Sequence, residues 1–316
     1  MNQDSISQYL HGACFARLHF RLRLEEALVL PPYGLLRLRR EFHRLLKGGM
    51  LSAESVRELG PVLRPPLPVD PELRRRVQQP SPGFVLPIEE VAEQSLPVGA
   101  VIRLPVCFIE GALPQAAVFC RLVEALGAVG LSARRGRYRL EAIEDGFSPP
   151  GAVQTLWQGG EFAFAPRLKD LAHLMEDVSP PAVRFEFLTP ARLMKGGRPL
   201  FRPGFDDIFP FLLRRVTSML AAWCALENLV DVTWALEVVR GLEQTRNRLR
   251  WHDWRPGEGN ESFGGIYGSI DLAGEELREI WYLLRLGELF GVGKGAAFGA
   301  GRYRLLSSIP LSPSAL

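Results

Sequence analysis

The chain has 316 residues, 47% hydrophobic and 23% charged, with a net charge of +3. That balance belongs to a globular protein with ample core, in one large or two ordinary domains. No apolar run approaches ~18 residues and no apolar signal core opens the chain, so neither a membrane span nor a secretory leader is expected.

Four cysteines, Cys14, Cys107, Cys120 and Cys224, stand apart with no C-x-x-C pair. This argues against a zinc site or a disulfide framework and fits a reducing cytoplasm. Arginine outnumbers lysine 34 to 4. The planar guanidinium suits phosphate, but GC-rich coding gives the same bias, so composition leaves the partner open.

Residues 16–24 alternate strictly, with Ala16, Leu18, Phe20, Leu22 and Leu24 against Arg17, His19, Arg21 and Arg23. That is a half-buried strand with a basic outer face, either solvated or set along a phosphate backbone. After Pro31-Pro32, residues 34–47 read as a helix stopped by Gly48-Gly49. On it Arg39, His43 and Lys47 recur at i, i+4 and i+8 and share one flank. Residues 60–87, rich in Pro and Arg, read as a long loop or insertion. A strand over 100–109 follows, with Pro105 marking a bulge or edge. Next come a helix over 113–126 and a strand from Tyr138.

Residues 151–181 read as a linker between a domain at 1–150 and one at 182–316. The second domain opens with a strand at 183–187 and a long helix at 205–228. Candidate strands at 232–239 and 264–272, a helix at 275–290 and a last strand at 302–306 follow. Both halves therefore approximate strand, helix, strands, helix, strand, although one middle strand of the first half is poorly marked. That is the βαββαβ order of an α+β chain of tandem ferredoxin-like (RRM-like) domains.

The most informative stretch is Gly287 to Arg304, in which six of eighteen positions are glycine. Clustered glycine implies positive φ or close backbone approach. Loop N–H groups, with Lys294 and Arg302, suit an anion. A P-loop is excluded because Glu288 and Gly295 stand where it needs Gly and Ser/Thr. Gly291-Val-Gly293-Lys-Gly-Ala296 satisfies the dinucleotide pattern but follows a helix and has only twenty residues after it.

The run Gly291-Val-Gly293-Lys294-Gly295-Ala-Ala-Phe298-Gly299-Ala-Gly301 resembles the glycine-rich loop of the RAMP superfamily of CRISPR-associated proteins. Within it the chain looks most like the endoribonucleases that process precursor CRISPR RNA. Ile109-Glu-Gly-Ala112, Arg184-Phe-Glu-Phe-Leu-Thr-Pro190 and Phe263-Gly-Gly-Ile-Tyr-Gly268 are similar to the same family. Residues 255–263 depart from it, with two acidic residues where relatives carry arginine.

The resemblance implies tandem ferredoxin-like domains. It also implies metal-independent cleavage within CRISPR repeats, leaving a 2′,3′-cyclic phosphate and a 5′-OH. No cofactor or metal is implied. The implied partners are repeat RNA, the mature guide RNA and other CRISPR-associated proteins of an effector complex. Whether the chain forms a homodimer is left open. The alternatives are a non-catalytic RAMP subunit that binds RNA and, more distantly, an enzyme acting on nucleotide phosphates.

Such cleavage needs proton transfer, which suits histidine, and positive charge on the phosphorane. Of five histidines, His43 is the candidate acid or base: Arg39 and Lys47 one turn to either side favour its neutral form. Family members commonly place their catalytic histidine in or just before this helix. Lys47 or Arg39 would stabilise the phosphorane. Arg40, Gly291, Gly293, Lys294, Gly295, Gly299, Gly301 and Arg302 are the further candidates for holding RNA. His252, in Trp251-His-Asp-Trp254, stands second, and Tyr33, Tyr267 and Lys294 are held in reserve.

Overall fold

A computed structural model describes residues 3–67, 80–88, 92–132, 135–149, 151–227, 230–254 and 263–307. Helix α1 (Gln3–Leu10) leads into strand β1 (Cys14–Leu24), β2 (Leu28–Leu30), a 3-10 turn at Gly34–Arg37 and helix α2 (Leu38–Lys47). Helix α3 (Ala53–Leu63), β3 (Phe84–Val85), β4 (Gln94–Leu96), β5 (Val101–Ile109), α4 (Ala116–Gly127) and β6 (Tyr138–Asp145) follow. Three short strands come next: β7 (Thr155–Gln158), β8 (Glu161–Phe162) and β9 (Leu168–Asp170).

The second half holds β10 (Ala182–Ala191), the hairpin strands β11 (Met194–Lys195) and β12 (Arg198–Pro199), and helices α5 (Phe205–Cys224) and α6 (Val232–Gly241). It ends with β13 (Glu243–Asn247), β14 (Arg250–Trp254), β15 (Phe263–Ala273), α7 (Leu277–Phe290) and β16 (Tyr303–Ser307).

The first sheet runs β3-β5-β1-β6-β7-β8 and the second β13-β15-β10-β16, with β14 also on β15. In both, the first strand of the unit lies between the third and the fourth, every pairing is antiparallel, and helices provide the crossovers. This is the expected α+β tandem of ferredoxin-like folds. In β1 the alternation buries Leu18, Phe20, Leu22 and Leu24. The poorly marked strand is β3, two residues long because it pairs with β5 only at Phe108 and Cys107. Pro105 lies past the end of that pairing, where its missing N–H costs nothing.

Four expectations are corrected. The basic face of β1 does not lie bare: Arg21 donates to Glu144 and Arg23 to Glu141, both on β6. Cross-strand carboxylates thus neutralise part of this basic row. Residues 232–239 are helical, not a strand. Asp231 caps the helix by accepting from the N–H groups of Thr233 and Trp234, and Ala235 and Val239, four apart, face the core. The stretch expected as a linker, 151–181, carries β7 and β8 at the edge of the first sheet and β9 against β1. Within the expected insertion, helix α3 reaches Leu63 and Phe84–Val85 pairs as β3, while residues 68–79 lie outside the described part.

The apolar interior is divided between the two sheets. One cluster gathers Phe20, Phe42, Phe84, Phe108 and Phe119, and the other Phe185, Phe187, Phe205, Phe209 and Phe290. Several segments cross over, among them Phe15 of β1 and Ile109 of β5, which belong to the second cluster. Ile6 and Leu10 of α1 also belong to it, so this helix packs on the other half. Ala297 and Phe298, from the glycine run of the second half, belong to the first.

Candidate active site

The glycine run is an ordered bridge. All five glycines of its motif, at 291, 293, 295, 299 and 301, have positive φ. A Cβ on Gly301 would lie 1.9 Å from the Val292 carbonyl oxygen, and one on Gly299 2.5 Å from Cγ1 of Ile88. Between them Phe298, 4% exposed, enters the first core with its ring centroid 5.5 Å from Phe84 and 6.4 Å from Phe42. The Leu86 N–H donates to the Ala297 carbonyl at 2.9 Å. Buried Thr189 closes the bridge from the other side, donating to the Gly299 carbonyl at 2.6 Å and accepting from the Arg302 N–H at 2.9 Å.

This changes the expected role of the loop's N–H groups. Those of Val292, Lys294, Phe298, Gly299 and Gly301 donate to protein carbonyls. Among the described residues only those of Gly293, Gly295 and Ala297 lack such an acceptor within the run. The loop is held mainly by its own hydrogen bonds, because a backbone that turns this tightly satisfies itself. The Arg302 guanidinium donates to the Ile88 carbonyl at 2.6 Å and so also ties the two halves together. Lys294 projects into solvent from the run.

Helix α2 rests against this bridge through Phe42. Its buried face is Leu38, Glu41, Phe42 and Leu45, so His43 falls on the partly exposed flank with Arg39 and Lys47. Glu41, fully buried, pairs with Arg44 at 2.5 Å. His43 is held far below its ordinary value, at about 4, by burial and then by the like charge of Arg64, Arg39 and Lys47. The like-charge effect was expected from Arg39 and Lys47. Arg64, at the C-terminal end of α3, was missed, since only the packing of α3 against α2 brings it there. The cations that act on Arg40 are Arg44 and Arg37, and Arg40 is not among those that act on His43.

A second cluster joins the reserve residues across the seam. Tyr33, buried and with positive φ (59°), comes from the first half. Its ring centroid lies 6.3 Å from both His252 and Tyr267, which are themselves 6.1 Å apart. Burial, then the neighbouring Tyr267 with its hydrogen bond, pushes the Tyr33 phenol up to about 12. Strand pairing explains the meeting of His252 and Tyr267: Arg250 lies opposite Tyr267, which puts Arg250, His252 and Tyr267 on one face.

Between β1 and β16 lies a cavity of about 560 Å³ whose lining includes Arg17, Lys169, Arg302 and Arg304. Arg304 is paired with Glu186, whereas Arg17 and Lys169 have no carboxylate partner among the described residues. No group of three or more His, Cys, Asp or Glu suited to a metal occurs among the described residues. No helix there is long and apolar enough to cross a membrane.

Residues 185–303 match the family model of the CRISPR-associated endoribonuclease Cas6. No curated protein is matched by sequence. The fold is similar to Thermus thermophilus Cas6, with a TM-score of 0.50 and 18% identity over 93% of this chain and 99% of that one. A Cas6 product complex gives 0.51 and 20% over 93% and 100%. A partial Cas6-RT-Cas1–Cas2 complex gives 0.55 and 14% over 96% of this chain and 48% of the other. At such identities the likeness is one of fold, and the family's sequence signature lies in the second half, glycine bridge included. The second half thus carries the signature of the CRISPR-associated endoribonuclease Cas6, and the chain as a whole is similar in fold to solved Cas6 structures.

Proposed function

We propose that the chain is an endoribonuclease that cuts precursor CRISPR RNA within its repeats without a metal ion. The ribose 2′-oxygen forms a bond to the adjacent phosphorus and the bond from phosphorus to the 5′-oxygen breaks. The products are a 2′,3′-cyclic phosphate and a 5′-OH. His43, neutral, takes the 2′-OH proton as general base, and water supplies the proton that the leaving 5′-oxygen takes up. Arg39, Lys47 and Arg64 lower the cost of charge on the phosphorane.

The observation that carries this reading is a partly buried histidine kept neutral among three cations. Those cations attract RNA phosphate and repel a divalent metal. Lys294, with Arg17 and Lys169 in the cavity beside β1, extends positive charge along the RNA path. Bound guide RNA and other Cas proteins are the partners this reading carries with it. A second assignment of the proton-transfer groups rests on the Tyr33–His252–Tyr267 cluster, which places three such groups across the seam.

The test is cleavage of repeat RNA in EDTA, beside a substrate carrying a 2′-deoxy group at the cut. One cut in EDTA, abolished by the deoxy sugar, supports the reading. Tight binding without scission makes the chain a non-catalytic RNA-binding subunit.

A further inference from the structure

Next to the glycine bridge the second sheet carries an aromatic shelf that the cleavage reading leaves unused. Phe201 follows the β11–β12 hairpin and is 57% exposed, unusual for a large apolar ring. Its centroid lies 5.0 Å from that of Trp251, with the planes at 55°. The indole is fixed in place. Its Nε1 donates to Asp253 at 2.8 Å, and it lies so close over β15 that a Cβ on Gly264 would come within 2.3 Å of its Cζ2. Only glycine at 264 leaves room for it.

Hydrogen bonds join this shelf to the bridge. The Lys294 N–H donates to the Arg192 carbonyl at 3.0 Å, and the Leu200 N–H to the Leu193 carbonyl at 3.1 Å. Phe201 is the next residue. Arg192, Lys195, Arg198, Arg202 and Lys294 are all exposed along this stretch, and of them Lys195 is paired, with Asp207. A rigid, partly exposed pair of rings among cations has the chemistry of a base-stacking site, in which rings take the flat face of a base and cations take the backbone. A protein partner's apolar side chain would gain nothing from the surrounding arginines.

We propose that Phe201 and Trp251 stack an unpaired base of the RNA strand beside the glycine bridge. This rests on the reading of the chain as an RNA-cutting protein and adds a subsite to it. A base within a duplex cannot reach such a shelf, so the site selects a single-stranded nucleotide flanking the bound repeat.

The test compares wild type, Phe201→Ala and Phe201→Tyr. Each is titrated with repeat RNA carrying 2-aminopurine at successive unpaired positions, and with a blunt duplex of the same sequence. Phe201 is exposed, so its replacement leaves the fold intact. Phe201→Ala is expected to weaken single-strand binding about tenfold and to lose the 2-aminopurine quenching at one position. Duplex affinity and the salt dependence should not change, and Phe201→Tyr should behave as wild type. Equal single-strand affinity for Phe201→Ala and wild type overturns the shelf while leaving the cleavage reading standing. So does an equal loss on duplex. Failure of the wild type to bind any RNA overturns both.

Discussion

His43 illustrates how one side chain takes its chemistry from two elements. Burial penalises the imidazolium, and three cations, from α2 itself and from the end of α3, penalise it further. If His43 is the base, kcat/KM for repeat RNA should keep its activity down to an acid limb near pH 4, well below the usual histidine range. Replacing Arg64 by Gln removes like charge and should move that limb upward; an unmoved limb would remove Arg64 from the site. The same depression has a sign for folding. The unfolded chain takes up the proton first, so this histidine's share of stability is intact above about pH 6.5 and is lost as pH falls toward 4. His43→Ala should reduce cleavage by about 10²–10⁴-fold while RNA affinity persists. Near-normal cleavage would pass the role to Tyr33, His252 and Tyr267. The stripe of Arg39, His43 and Lys47 was legible from spacing alone. The meeting of Tyr33 with His252 was not, because residues so far apart in sequence meet only through packing.

Among the elements, the glycine run is a structural clasp. Phe298 fills a gap among Phe42 and Phe84 that the first half does not close by itself. Phe298→Ala should cost about 3–5 kcal/mol in denaturant unfolding. An effect under about 1 kcal/mol would show that the ring is not seated there. Gly301→Ala places a Cβ against the Val292 carbonyl at a φ of +65°, so it should disorder the bridge and lower stability and cleavage together. The need for positive φ could be read from the glycine spacing. That the N–H groups would be satisfied mainly inside the loop could not. Helix α6 teaches the complementary lesson: Val232 to Val239 has the β-branched content of a strand, but a capping aspartate and a period-four apolar face decided for helix.

For the whole molecule, two ferredoxin-like sheets are joined by elements exchanged between them. Helix α1 packs on the second core, Phe298 on the first, and Arg302 spans the seam to the Ile88 carbonyl. Arg302→Ala should loosen that seam, seen as faster proteolysis between the halves and a broader unfolding transition. An unchanged digestion pattern would show the apolar contacts to suffice. The sequence by itself determined the period-two strands, the amphipathic helices and the glycine spacing, because these depend on residues near one another in the chain. Only the tertiary structure decided that the basic row of β1 meets Glu141 and Glu144, that Arg64 joins His43, and that the glycine run inserts into the opposite core. Each of those depends on which surfaces of distant segments are buried together, and local propensity does not encode that.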